Sequence, residues 1–147
     1  MKKIVLTSVL FISALILTAA NINESSVPDN VKTFVTNSYP KARNIEWDKN
    51  KDTYKAVFFI NGLKTEMEIS STGELSSLIE GLFIKDLPQN IVSYMKTNYP
   101  QGEIQGGTKI VKGQSVTYKV EISVIDKKGK IKTQTLSFDD KGNILKS

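Results

Sequence analysis

Apolar and polar positions alternate along most of the chain, and two short stretches of helical period interrupt the alternation. Val31, Phe34 and Val35 fall at i, i+3 and i+4 while Lys32, Thr33 and Thr36 face away, which predicts a short amphipathic helix. Pro28 suits its first turn, where a missing N–H is no loss. Tyr39-Pro40 ends it, because a residue before proline is biased out of the helical region. Ile45 and Trp47 then alternate with Asn44, Glu46 and Asp48. After the polar turn Lys49-Asn50-Lys51-Asp52, Tyr54, Ala56, Phe58 and Ile60 share one face, and Thr53 and Lys55 the other. Asn61-Gly62 is a two-residue hairpin signal, since both residues accept positive φ. Leu63, Thr65, Met67 and Ile69 return with Lys64, Glu66 and Glu68 outward. Three consecutive runs of period two predict an antiparallel sheet with one buried and one wet face. So short a helical stripe needs such a sheet to lie against.

The pattern recurs sixty positions later, where Leu87-Pro88 matches Val27-Pro28 and Tyr99-Pro100 matches Tyr39-Pro40. Ile91, Tyr94 and Met95 repeat the helical stripe. Ile104, Gly106, Thr108 and Ile110 predict a first strand, and Tyr118, Val120, Ile122 and Val124 a second. Asp126-Lys127-Lys128-Gly129 turns the chain, and Gln134, Leu136 and Phe138 face the core from a third strand. Gly142, like Gly73, sits in a polar turn. Residues 74–86 fit both periods, and we read them as a fourth strand, broken at Gly81, that continues the sheet into the second copy. A repeat of this length marks two copies of one supersecondary module. The expected fold class is α+β, a tandem repeat of a helix packed on an antiparallel β-sheet. The expected division is a first repeat over residues 27–86 and a second over 87–147, forming one compact unit.

The N-terminus changes the picture. Met1-Lys2-Lys3, an apolar run from Ile4 to Leu17 and the small residues Thr18-Ala19-Ala20 predict a cleaved signal peptide over residues 1–20. The run is shorter than the roughly 20 residues that span a bilayer, so no stable membrane span is expected after cleavage. Residues 21–26 read as a flexible leader. Loss of Lys2 and Lys3 takes the formal charge from +5 to +3. Arg43 is the only arginine, and the lysines are interleaved with acids, a pattern that argues against nucleic acid.

Two absences exclude whole classes of chemistry. With no cysteine, an exported chain of this size is held by its core. With no histidine, the Ser-His-Asp and Cys-His pairs and most zinc and haem sites are gone. We expect no enzyme and no cofactor.

An aliphatic-Pro helix ending in Tyr-Pro, a Trp on the first strand, a Tyr opening the second and a Gly turn after the third resemble the beta-lactamase-inhibitor-like, PepSY-like family of small exported bacterial proteins. The resemblance rests on Pro28, Tyr39, Pro40, Trp47, Tyr54, Gly62 and Gly73, then on Leu87, Pro88, Tyr99, Pro100, Tyr118 and Gly142. The second copy departs from it, with Gly106 or Gly107 near the place of the tryptophan. The family implies tandem helix-plus-sheet modules and a periplasmic or cell-surface setting, and the signal peptide leads us to expect a periplasmic or secreted protein. It implies no established activity, and no catalytic or inhibitory residues carry over.

The candidate recognition residues lie on the wet face. Val57 and Phe59 put apolar side chains among Lys55, Lys64, Glu66 and Glu68, which suggests contact with the other copy, a second subunit or a partner. Trp47 and Tyr54 belong by alternation to the core. Glu66 and Glu68 share a face, near Glu46 or Asp48 if the register allows; interleaved lysines favour a solvated pattern over acid–base or calcium chemistry. Asp139-Asp140-Lys141-Gly142-Asn143 reads as a hairpin turn. The expected function is an exported non-enzymatic binding protein that recognises or inhibits an extracytoplasmic protein or peptide through its sheet surface. The alternative is a periplasmic small-ligand or calcium-binding protein, using Glu46, Glu66 and Glu68 or a pocket between the halves.

Overall fold

The computed structural model describes residues 20–145. The signal peptide read from the sequence lies outside them except at Ala20. Among the described residues nine antiparallel strands form one sheet whose strand order follows chain order. β1 (Ala20–Ile22) leads through a 3-10 turn to α1 (Asp29–Ser38), and β2 (Glu46–Asn50), β3 (Thr53–Ile60), β4 (Leu63–Ser70) and β5 (Leu75–Leu82) follow. A second 3-10 turn (Ile84–Asp86) leads to α2 (Gln89–Asn98). Then come β6 (Glu103–Lys112), β7 (Ser115–Ile125), β8 (Ile131–Asp139) and β9 (Ile144–Leu145).

The helices begin and end where the prolines dictate. Pro28 and Pro88 cap α1 and α2, and each helix closes at a tyrosine whose N–H still bonds back to Val35 or Met95. Val31 and Val35 bury the stripe of α1, Ile91 and Met95 that of α2. Under α1 lie Trp47, Tyr54, Phe58, Met67, Ile69 and Leu78; under α2 lie Val120, Ile122 and Phe138. Both helices sit on one face of the sheet. Leu78 pairs with Val111 and Val111 with Val116, and Val116 shares its side of β7 with Val120 and Ile122. Among the described residues nothing covers the opposite face, which is called the bare face below.

One polar latch is built twice. Asn30 donates from Nδ2 to the Ser71 carbonyl at 2.9 Å, tying the first turn of α1 to the β4–β5 turn. Asn90 donates likewise to the Lys141 carbonyl in the β8–β9 turn. Gly73 (φ +90°) and Gly142 (φ +82°) lie against these asparagines, so a Cβ there would meet both a left-handed backbone and the amide.

Four readings of the sequence need correction. Residues 21–26 are not a free leader: Ile22 pairs with Trp47, packs against the first core and extends the sheet. β5 runs through Gly81, which pairs with Thr108, and ends at Leu82. In β6 the register shifts between Ile104 and Gly106, which turns Gly106, Thr108 and Ile110 onto the bare face and Gly107 toward the helices. Gln134 has the inward parity but is exposed, beyond the second core.

Candidate functional site

The bare face brings the sequence-predicted recognition residues together. Across the strands, Glu46 pairs with Val57, Val57 with Glu66, Glu66 with Ile79 and Ile79 with Ile110. Phe59 stands opposite Lys64, and Lys55 stands between Asp48 and Glu68. Phe59 is 61 % exposed and Ile79 38 %, while Val57 is half-buried. The Glu66 carboxylate is gripped from both sides. Lys55 Nζ lies 2.6 Å from Oε2 and Lys64 Nζ 2.7 Å from Oε1. The hydrogen bonds from Lys55 and then Lys64 hold Glu66 below the ordinary carboxylate range, and the bond to Glu66 raises Lys55. A carboxylate so occupied is a weak base and a poor metal ligand.

The acidic residues do not converge. Val57 separates Glu46 from Glu66, which sets them two strands apart, roughly 10 Å. Among the described residues no group of three His, Cys, Asp or Glu side chains could hold a metal ion. Asp139 is spent on its turn. Its carboxylate accepts from the Asn143 side chain and backbone and from the Lys141 N–H, which holds it below the ordinary range. Trp47 and Tyr54 are in the core, as the alternation required. The Trp47 indole N–H has no acceptor there among the described residues.

One feature went unread in the sequence, and another was read only as a pocket between the halves, without its residues. The first is a polar contact under α1, where the Tyr39 hydroxyl donates to Glu80 Oε1 at 2.9 Å. Burial and then the Glu80 carboxylate push that phenol well above its ordinary range. The second is a cavity of about 900 Å³ with Leu82, Phe83 and Ile84 on one side and Gly106, Lys119 and Thr135 on the other. Its signal was the contrast between copies: Gly106-Gly107 where the first has Glu46-Trp47, and Phe83-Ile84 where the first has Asn23-Glu24.

Comparison with known proteins fits this architecture. Solved structures with the same fold include a DUF2874 family protein from Bacteroides uniformis, 18 % identical, with a TM-score of 0.57 over 81 % of this chain and 86 % of that one. A structure described as a putative periplasmic protein from Bacteroides eggerthii is 20 % identical, with a TM-score of 0.57 over 82 % and 86 %. A BLIP-like protein from Bacteroides fragilis is 18 % identical, with a TM-score of 0.56 over 81 % and 83 %. No curated protein matches the chain. Among the described residues no helix is long and apolar enough to cross a membrane. The sequence profile of one family matches residues 16–77 and 52–146, and the chain belongs to it: Putative beta-lactamase-inhibitor-like, PepSY-like.

Proposed function

We propose that this protein is exported and acts without catalysis, by binding an extracytoplasmic protein or peptide on its bare sheet face and restraining it. The observation that carries this reading is Phe59, 61 % exposed beside the Lys55–Glu66–Lys64 cluster. An apolar anchor inside a rim of fixed charge is the anatomy of a recognition surface. The family's beta-lactamase-inhibitor-like description and the periplasmic description of one structural relative support an envelope setting and a protein partner. Inhibition of a beta-lactamase itself is not part of the proposal.

The test is capture from the envelope fraction of the native organism, with the chain from Asn21 as bait. One enriched enzyme that the wild type slows, and that Phe59→Lys neither captures nor slows, supports the reading. Equal capture by Phe59→Lys removes this face from it. A second reading, a small-ligand binder, is favoured by the cavity beside Phe83. The calcium form of that reading has no geometric support, since Glu46, Glu66 and Glu68 do not meet.

A further inference from the structure

The cavity is assembled where the second half departs from the first. Register makes Gly107 the counterpart of Trp47: Trp47 pairs with Ile22 and Ala56, Gly107 with Leu82 and Val120. Gly107 is bare because Leu87 occupies the space, and a Cβ there would lie 2.5 Å from Leu87 Cδ2. Gly106 has no such reason. A Cβ on it would meet nothing within 4 Å, and its backbone is outside the left-handed region, yet its counterpart Glu46 carries a side chain. Its missing side chain leaves the cavity floor open.

The walls changed in the same way. Phe83, Ile84 and Lys85 stand where the first half has Asn23, Glu24 and Ser25. Lys119 is the counterpart of Lys55, but the position of Glu66 is held by Thr135 and that of Lys64 by Thr133. Lys119 has therefore lost the carboxylate that its twin grips. Among the described residues neither Lys119 nor Lys85 forms an ion pair, although both line the cavity. Glu121 lines it too and opposes an anion, but the two ammonium groups leave the lining net positive.

We propose that this cavity binds a small amphipathic carboxylate. Its apolar body would lie against Leu82, Phe83 and Ile84 over Gly106, and its head group would sit at Lys119 and Lys85. The volume is within the roughly 300–1,000 Å³ of small-molecule sites. This does not rest on the protein-partner reading, which concerns the first half.

The probe is decanoate, below its micellar concentration, titrated into the chain from Asn21 by calorimetry and by displacement of a fluorescent naphthalene sulfonate. Saturable one-to-one binding is expected, tighter than decanol by about tenfold, as a hydrogen-bonded charge implies. Gly106→Leu fills open space, so it should leave the thermal midpoint unchanged and abolish binding. Lys85→Gln with Lys119→Gln should erase the preference for decanoate over decanol, Glu121→Gln should tighten decanoate, and Phe59→Lys should leave decanoate binding unchanged. The proposal is overturned if decanoate does not saturate. It is equally overturned if a folded Gly106→Leu binds like wild type, or if decanol or decyltrimethylammonium binds as tightly as decanoate.

Discussion

The two halves of the sheet follow one plan with different contents. Each has an aliphatic-Pro entry, a ten-residue helix, a tyrosine C-cap and an asparagine latched to a glycine turn. These are the positions that fix the backbone, and they repeat. What touches solvent, and part of what fills the core, does not. Tyr39 packs edge-on against Phe58 at 5.1 Å in the first half, whereas in the second it is Tyr94 that meets Phe138, at 5.3 Å. Trp47 fills the first core where Gly107 admits Leu87 in the second. The lesson is that geometry is set by a few conformationally special residues, which leaves the rest free to diverge toward two different surfaces.

Exchanging the contents of the halves should be destabilising in both directions. Trp47→Ala should cost about 3–5 kcal/mol. Urea melts followed by far-UV circular dichroism would read this, since the chain has no second tryptophan to report fluorescence. Gly107→Trp must displace Leu87 and should cost about 1–3 kcal/mol through overpacking. The latches come next. Gly73→Ala forces a side chain into the left-handed region, for about 1–2 kcal/mol. Gly142→Ala should cost more, because its Cβ crowds Asn90 harder than the 3.2 Å contact at Gly73 crowds Asn30. Adding Asn90→Ala should relieve part of the Gly142→Ala penalty, and a double-mutant cycle measures that coupling.

A smaller difference should separate the capping tyrosines. Tyr39→Phe removes the bond to Glu80 and should cost about 1 kcal/mol. Tyr99 makes no side-chain hydrogen bond among the described residues, so Tyr99→Phe should be near neutral in the same urea melts. The smallest effect is electrostatic. Glu66 is held below its unfolded value, so its contribution is full above the ordinary carboxylate range and is lost as pH falls through the folded value. Glu66 is partly exposed, so the loss should be only about 0.2–1 kcal/mol. Thermal melts from pH 6 to pH 3 would show it as a drop larger in the wild type than in Glu66→Gln, in which Asp126 and Asp139 still titrate.

Much of this was legible because it is local. Proline, Tyr-Pro, Asn61-Gly62 and strict alternation each act within a few residues, and they set the helices, the β3–β4 hairpin with φ of +52° and +84°, and the placement of Val57 and Phe59 on the wet face. The misread elements depend on pairing at a distance. Nothing in the local pattern of β6 announces a bulge at Gln105, since Gly106-Gly107 carries no hydrophobic signal and Leu87, which packs against Gly107, lies far off in the chain. Residues 21–26 looked free because only the paired edge of β2 gives Ile22 somewhere to lie. The Lys55–Glu66–Lys64 grip was half visible: the charges were on one face, but cross-strand register decides which pair.

β5 has a consequence for how such a chain could be taken apart. It closes the first unit against β4 and opens the second against β6, standing before α2 as β1 stands before α1. Two five-strand units thus occupy nine strands, with one strand held in common. No single cut between the halves can release both intact, since whichever fragment loses β5 is left with a raw sheet edge over an unroofed core. A chain joined in this way is expected to melt as one body, and a gene that doubled by this route would have gained a second helix and a second surface without adding a second fold.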